Sequence, residues 1–131
     1  MRTGRKQSCP CEKNAAYSGL RSRMTCIKIP DLIQHTILPG VKAGFIHTNN
    51  MTVAYWHFEP GATIPLHAHP HEQVTTIIEG EFELTVDGGS QIMTAGSALS
   101  IKPDSRHSGR AITKTYILDV FCPVREDYKR I

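Results

Sequence analysis

Short strand-like runs fill the chain from Val41 onward, and glycine, proline, asparagine and aspartate separate them. The clearest run is Glu81–Val86, where apolar and polar residues alternate as they do in a half-buried strand. Asp87-Gly88-Gly89 follows it as a hairpin turn. Many short strands at regular spacing predict an all-β antiparallel sandwich or barrel, with one short helix around Pro30–Gln34. The predicted strands are 41–47, 51–58, 74–78, 81–86, 91–94, 98–101, 109–112 and 114–121.

The length and the charge distribution indicate one domain preceded by a basic segment. A chain of 131 residues can bury a core without disulfides. Residues 1–24 carry a net charge of +5 within a total of +3, so residues 25–131 sum to −2. We predict a disordered basic leader or an extended start over 1–24, and a single barrel domain over 25–131. The acidic body predicts no nucleic-acid partner. The lack of a signal peptide or a membrane-length apolar run predicts no membrane partner and a cytoplasmic location.

One segment contains closely spaced histidines, His67 and His69 among them. Residues two apart on a strand point to one face, so these two imidazoles can share a small cation. Gln73 adds an amide oxygen four residues later, and His107, which follows a strand and a rigid turn, is the candidate fourth ligand. Histidines at this spacing also occur on surfaces and in cores. Spacing alone therefore leaves a metal site and structural histidines both open.

The remaining histidines are expected outside the metal site. His71 lies one residue past Pro70, which takes it off the face that the His67–His69 pair shares, so we expect it at the rim or surface. Three more have no partner at ligand spacing and are expected to be structural, with His57 alone able to reach a cavity mouth. These three are His35, His47 and His57.

Two motifs resemble those of the cupin family. The first cupin motif is matched by Gly61-x5-His67-x-His69-x3-Gln73-x6-Gly80, with glutamine where many cupins have glutamate. The second is matched by Gly96-x5-Lys102-Pro103-Asp104-x2-His107, in which Lys102 and Asp104 replace the usual proline and glycine. The resemblance implies a small single-domain cupin. Such a protein is a double-stranded β-helix, or jelly-roll barrel, that holds one divalent metal ion. The implied ligands are His67, His69, Gln73 and His107.

The glutamine makes the implied ligand set neutral. A bound ion would then keep its full double charge, which strengthens it as a Lewis acid and does less to stabilise a higher oxidation state. This favours polarisation of substrate oxygens over oxygen activation by iron. Imidazole and amide ligands leave zinc, nickel, iron and manganese open as the metal.

The last predicted strand places a carboxylate among apolar residues. In strand geometry Asp119 and Phe121 share a face with Ile117. A buried carboxylate is costly unless it is paired or functional, and burial would raise its pKa into an acid–base range. Arg125 follows the turn at Pro123 and can fold back over the barrel mouth. The pattern leaves open the alternative of an edge aspartate in solvent and a surface arginine.

The combination of His-Pro-His-Glu-Gln with Asp-Val-Phe-x-Pro-x-Arg is similar to a narrower group. These are the cupins of pectin and alginate breakdown that linearise 4,5-unsaturated monouronates. The resemblance implies a small sugar-acid substrate and a ring opening followed by tautomerisation, an isomerase-type reaction. It implies catalytic roles for Asp119 and Arg125, and substrate binding by Phe121 and Arg125. Family analogy also implies a homodimer.

Two other functions stay open. Many cupins are metal-dependent dioxygenases, which would require iron and consume oxygen. Others are non-catalytic sugar- or effector-binding modules, often fused to a DNA-binding helix-turn-helix that residues 1–40 do not contain. The sequence therefore does not decide whether the chain is an enzyme.

Overall fold

The computed structural model describes residues 26–131, so the leader predicted over 1–24 lies outside the described residues. Regular structure begins with a 3-10 turn at Ile29–Asp31 and ends with another at Tyr128–Arg130. Among residues 26–131 no helix is long and apolar enough to cross a membrane. The strands between the two turns are β1 His35–Leu38, β2 Val41–His47, β3 Thr52–Phe58, β4 Thr63–His67, β5 Glu72–Glu79, β6 Glu81–Val86, β7 Gly89–Thr94, β8 Ala98–Ile101, β9 His107–Ala111 and β10 Thr115–Cys122.

The strands form two antiparallel sheets. The larger has the order β1-β2-β3-β10-β5-β8, and the smaller has the order β4-β9-β6-β7. β10 therefore lies between β3 and β5, and β9 lies between β4 and β6. The last two strands of the chain thus join strands that are distant in sequence. The predicted all-β jelly-roll barrel is confirmed.

The alternation of residues along each strand decides what enters the space between the sheets. In β10 every second residue from Thr115 to Phe121 is buried, and the residues between them are half-buried on the outer face. Burying a large apolar side chain stabilises the fold by about 1.5–3 kcal/mol. Asp119 belongs to the inward series, so the core surrounds a carboxyl group. The larger buried apolar side chains are Val41, Trp56, Phe58, Ile77, Phe82, Leu84, Met93, Ile101, Ile117 and Phe121.

The predicted strands 41–47, 81–86 and 98–101 coincide with β2, β6 and β8. β1 and β4 are missing from the prediction. β4 contains Pro65, which argues against a strand in sequence, but β4 is an edge strand of the smaller sheet and tolerates a proline. The helix predicted around Pro30–Gln34 is wrong in extent. It is a three-residue 3-10 turn without a side-chain cap, and the chain becomes extended again by His35.

Two motif positions have backbone conformations that restrict the residue type. Gly80 has φ +86°, and a Cβ there would collide with the carbonyl oxygen of Lys114. Asp104, which replaces the usual glycine of the second motif, has φ +63°. Aspartate is among the few non-glycine residues that adopt this left-handed region readily, so the loop keeps its shape. The backbone N–H of Asp104 donates to the carbonyl oxygen of His69 at 2.8 Å, which ties together the loops that carry the two histidine motifs.

Candidate metal centre

Three histidines from distant positions meet at one point, and we call them the histidine cluster. His67 ends β4 and lies opposite His107 of β9 in the sheet register, with ring centroids 4.1 Å apart. His69 lies beyond the end of β4, and its ring is 5.0 Å from His107 and 5.7 Å from His67. One nitrogen from each ring lies within 4.8 Å of the others. The cluster is positioned to hold a metal ion. The prediction that His67 and His69 share one face of a strand is wrong, because β4 ends at His67.

Backbone carbonyls orient two of the three rings. His67 Nδ1 donates to the carbonyl oxygen of Pro65 at 2.7 Å, and His107 Nδ1 donates to that of Ser105 at 2.8 Å. A carbonyl only accepts, so Nδ1 carries the proton and Nε2 keeps its lone pair for a cation. Nδ1 of His69 is buried and has no hydrogen-bond partner within residues 26–131. Oriented lone pairs of this kind are typical of metal-binding imidazoles.

Gln73 brings its amide oxygen to the cluster from the opposite sheet. It is the second residue of β5, its side chain is buried, and Oε1 lies 3.1 Å from His69 Nε2. The amide nitrogen donates to Thr75 Oγ1 at 2.9 Å. This contact fixes the amide with its oxygen, the ligand atom, towards the imidazoles. The structure therefore brings together all four of the ligand residues predicted from the sequence.

Burial favours the neutral form of two histidines of the cluster, His69 and His107. It lowers the pKa of His69 to about 4, with Arg125 and the neighbouring histidines adding to the effect. Desolvation on burial also lowers the pKa of His107. Only neutral imidazole binds a metal, so protons compete weakly for these two side chains near pH 7.

A cavity of about 230 Å³ lies between the sheets beside the cluster. Its wall includes His67, Gln73 and His107 on one side, together with Asp119 and Arg125. A small molecule in this cavity would meet metal-ligating groups, a carboxyl and a guanidinium inside a mostly apolar wall. That combination suits acid–base chemistry on a small anion. The larger apolar and aromatic wall residues are Trp56, Phe58, Phe82, Ile117, Phe121 and Tyr128.

Asp119 is buried at the centre of the larger sheet. It lies in one register row with Ala54 of β3 and Thr75 of β5, and it is 7% exposed. Burial raises its pKa to about 6, and polar contacts from Thr75, Gln73 and Trp56 partly offset the rise. Oδ1 of Asp119 nevertheless has no hydrogen bond of standard geometry to any described residue. The alternative of an edge aspartate in solvent is therefore wrong.

Arg125 is also buried, at 6% exposure, so the alternative of a surface arginine is wrong as well. Its guanidinium packs against two rings, 4.7 Å from the centroid of Phe121 and 3.9 Å from that of Tyr128. Nε and Nη2 donate to the two carboxylate oxygens of Asp127 at 3.0 and 2.7 Å. Nη1 is buried and makes no hydrogen bond with the described part of the chain. Asp127 thus binds the Nε and Nη2 side of the guanidinium, and Nη1 is left for a ligand.

Comparison with known proteins places the chain in a family. The family model described as "Cupin domain" matches residues 54–122, more than half of the chain. The chain belongs to the cupin family. This cupin is 26% identical over 92 residues to the pectin degradation protein KdgF of Dickeya dadantii (strain 3937), covering 68% of this chain and 84% of that protein.

Solved cupin structures have the same fold. An RmlC-like cupin from Shewanella frigidimarina NCIMB 400 is 30% identical, with a TM-score of 0.75 over 82% of this chain and 96% of its own. KdgF from Halomonas sp. is 22% identical, with a TM-score of 0.77 over 81% of this chain and 99% of its own. The predicted relation to the pectin-degradation cupins is confirmed.

The other histidines of this cupin lie outside the cluster. His71 is half-buried, with its ring 5.4 Å from that of His69. His57 does not reach the cavity, since it is exposed on the outer face of β3 and stacks on Tyr116 at 4.6 Å. His47 shares a hydrogen bond of 2.9 Å with Thr52. The remaining one, His35, stacks on Phe45 at 6.1 Å.

Sequence reasoning missed four residues around the site of this cupin. Asp127 and Tyr128 hold Arg125, but both lie beyond the last strand, where no periodicity marks them. Thr75 and Trp56 face Asp119 from the two neighbouring strands. The period-two burial of β3 and β5 carries the only available signal for Thr75 and Trp56, and it indicates the core rather than a site.

Proposed function

We propose that this cupin opens the ring of a small unsaturated sugar acid and converts the resulting enol to a ketone. One observation carries the proposal. A single small cavity is lined by two rings of the histidine cluster, those of His67 and His107, together with Gln73, a buried carboxyl at Asp119 and a buried guanidinium at Arg125. The relation to KdgF, whose name associates it with pectin degradation, supports a uronate as the substrate.

The cavity supports a small carboxylate as the substrate class. A buried guanidinium nitrogen without a partner is costly, and a substrate carboxylate would satisfy it with a charge-assisted hydrogen bond. The volume of about 230 Å³ is below the roughly 300–1,000 Å³ of pockets for drug-sized ligands. Phe121, whose ring lies beside Arg125, supplies an apolar surface for the face of a sugar ring.

The four donors at the cluster suit a divalent ion. His67, His69 and His107 would bind it through ring nitrogens, and Gln73 through Oε1. When bound, such an ion polarises substrate oxygens as a Lewis acid. The hydrogen bonds from His67 and His107 to backbone carbonyls would hold the rings in the ligating orientation.

Asp119 would move the proton. Opening the ring breaks the bond between the anomeric carbon and the ring oxygen, and the anomeric hydroxyl loses its proton. The ring oxygen leaves as the oxygen of an enolate, which becomes a ketone when the adjacent alkene carbon gains a proton. No proton is consumed overall, so one carboxyl group that accepts and then donates is sufficient. Oδ1 of Asp119, buried and without a partner in residues 26–131, is the atom that we assign to this transfer.

A screen of unsaturated uronates tests the proposal, with loss of the conjugated enol-ether absorbance as the signal and elemental analysis for the metal. We expect the wild-type protein to convert the substrate. Asp119→Asn should keep its metal, and its turnover should be about 10²–10⁴-fold slower. Asp31→Asn changes an exposed aspartate in the same way and should behave as wild type. An Asp119→Asn variant with the wild-type rate would contradict the assigned role. Oxygen uptake on substrate addition would instead indicate a dioxygenase. Binding of a uronate without turnover would indicate a non-catalytic binding module.

We also propose that two copies of this cupin pair through the outer face of the larger sheet. Val53, Val120 and Val74 form one outward row across β3, β10 and β5, and Val74 and Ile78 are 41% and 42% exposed. Burying such a row against a second copy would remove apolar surface from water.

The charges on this outer face are self-complementary. Lys42, His57, Tyr116 and Glu79 form one register row, with a cation at one end and an anion at the other. A two-fold axis parallel to the strands would bring Lys42 of each copy towards Glu79 of the other. Light scattering tests the pairing. Val120→Lys should give monomers, whereas Ile92→Lys, on the smaller sheet, should not. A wild-type monomer at micromolar concentration would contradict the pairing.

A further inference from the structure

A second cavity, of about 400 Å³, adjoins the first. It lies between the segment that precedes β1 and the C-terminal turn Tyr128–Arg130. Of all described residues, Tyr128 alone lines both cavities. The two spaces are therefore divided at this side chain.

The ring of Tyr128 is held mainly by other rings. It stacks on Phe45 with centroids 4.7 Å apart and meets the edges of Trp56 and Phe121, each at 5.9 Å. The guanidinium of Arg125 covers it at 3.9 Å. The turn that carries Tyr128 pairs with no strand, and its backbone N–H donates to the carbonyl oxygen of Arg125 at 3.2 Å. The partition thus consists of aromatic side chains, in which Tyr128 packs against Phe45 of the second cavity and Trp56 of the first.

We propose that Tyr128 is the residue that limits binding in the first cavity to a single-ring acid and so keeps longer acids from occupying the site. Its ring closes the cavity directly beside Arg125, the group to which the substrate carboxylate would bind. The choice of a uronate as the acid rests on the function proposed above, whereas the division of the cavities does not. Without this ring the first cavity would continue into the second.

The second cavity suits an additional acidic sugar residue. Lys129 contributes a cation to its lining and Asp31 an anion, and His35 and His47 contribute ring nitrogens that can form hydrogen bonds with a sugar acid. Phe45 and Leu32 supply apolar surface. An acid extended by one uronate unit could therefore reach the second cavity from the first once Tyr128 is removed.

Fluorescence quenching tests the partition without a substrate. Trp56 is the only tryptophan of the chain, it lines the first cavity, and it is 5% exposed. We expect Tyr128→Ala to raise the Stern–Volmer constant for acrylamide and iodide several-fold, because quencher then enters through the second cavity. Tyr128→Phe keeps the ring and should quench like wild type.

Circular dichroism and thermal melting identify the variants that stay folded. Should Tyr128→Ala unfold, Tyr128→Leu replaces it, with a smaller rise expected. If folded Tyr128→Ala or Tyr128→Leu quenches like wild type, the partition does not exist and the proposal is overturned.

Inhibition by a longer acid tests the size limit. An unsaturated diuronate has its unsaturated ring locked by a glycosidic bond at the anomeric carbon, so it cannot open and serves as a binding probe. We expect it to inhibit monouronate turnover at several-fold lower concentration in Tyr128→Ala than in Tyr128→Phe. Equal inhibition of the two would overturn the size limit. If no variant turns over any unsaturated monouronate, the proposed function fails, while the quenching result still decides whether Tyr128 divides the cavities.

Discussion

Replacing Asp119 by asparagine should stabilise the metal-free protein at neutral pH but not in acid. Burial raises the pKa of Asp119 in the folded protein to about 6, against 3.8 for an exposed aspartate. The ionised form is therefore less stable in the folded state than in the unfolded state. Well below pH 3.8 the group is protonated in both states, and its titration has no effect on stability. As the pH rises from about 4 to 6, the free energy of unfolding of the wild-type protein falls, and above about pH 6 the whole penalty applies.

The magnitude follows from the difference between the two pKa values. The shift of about two units corresponds to about 3 kcal/mol, at about 1.4 kcal/mol for each unit. Asparagine has nearly the same shape and no charge, so Asp119→Asn removes this penalty. Between pH 4 and pH 7.5 we expect the free energy of unfolding of the variant to rise by about 3 kcal/mol relative to that of wild type.

Urea unfolding in the presence of EDTA measures the difference. The free energy of unfolding is compared for wild type and Asp119→Asn at the two pH values, which cancels the titration of the histidines. Asp31→Asn, an exposed aspartate, serves as the matched control and should show no such change. If the free energies of unfolding of Asp119→Asn and wild type differ by the same amount at both pH values, the claim that Asp119 is desolvated in the folded protein is refuted.

Three further variants test other parts of the site and the core. His67→Ala should abolish stoichiometric zinc, measured by elemental analysis. In the wild type, zinc at 100 times its Kd should add about 2.7 kcal/mol to the free energy of unfolding, a gain that the variant lacks. Asp127→Asn loosens the guanidinium of Arg125, so we expect steady-state kinetics to show a higher KM at unchanged metal content; an unchanged KM would count against the positioning role. Phe121→Ala should lower the free energy of unfolding by about 3–5 kcal/mol in urea titrations, because the ring is 2% exposed in the core.

Local patterns predict a large part of this protein. The alternation in β6 and the turn residues around it follow from neighbours in sequence, so the strand is readable without the fold. The four predicted ligand residues lie at short, regular distances from turn glycines, and the resemblance to the two cupin motifs was sufficient to select them. Asp104 shows why a departure from the motif can be harmless, since aspartate adopts the left-handed conformation that the loop requires.

Strand pairing decides which side chains come together in the candidate site. Asp119 is buried because β10 lies between β3 and β5, a pairing between residues far apart in sequence. The orientation of Arg125 depends on Asp127 and Tyr128, which lie beyond the last strand and show no pattern of their own. Periodicity records which face of a strand is apolar, but it does not record which strands become neighbours. The sequence by itself therefore determined the all-β class and the candidate metal ligands. Only the tertiary structure decided that a carboxyl, a guanidinium and two rings of the histidine cluster line one cavity, because that depends on long-range pairing of the strands.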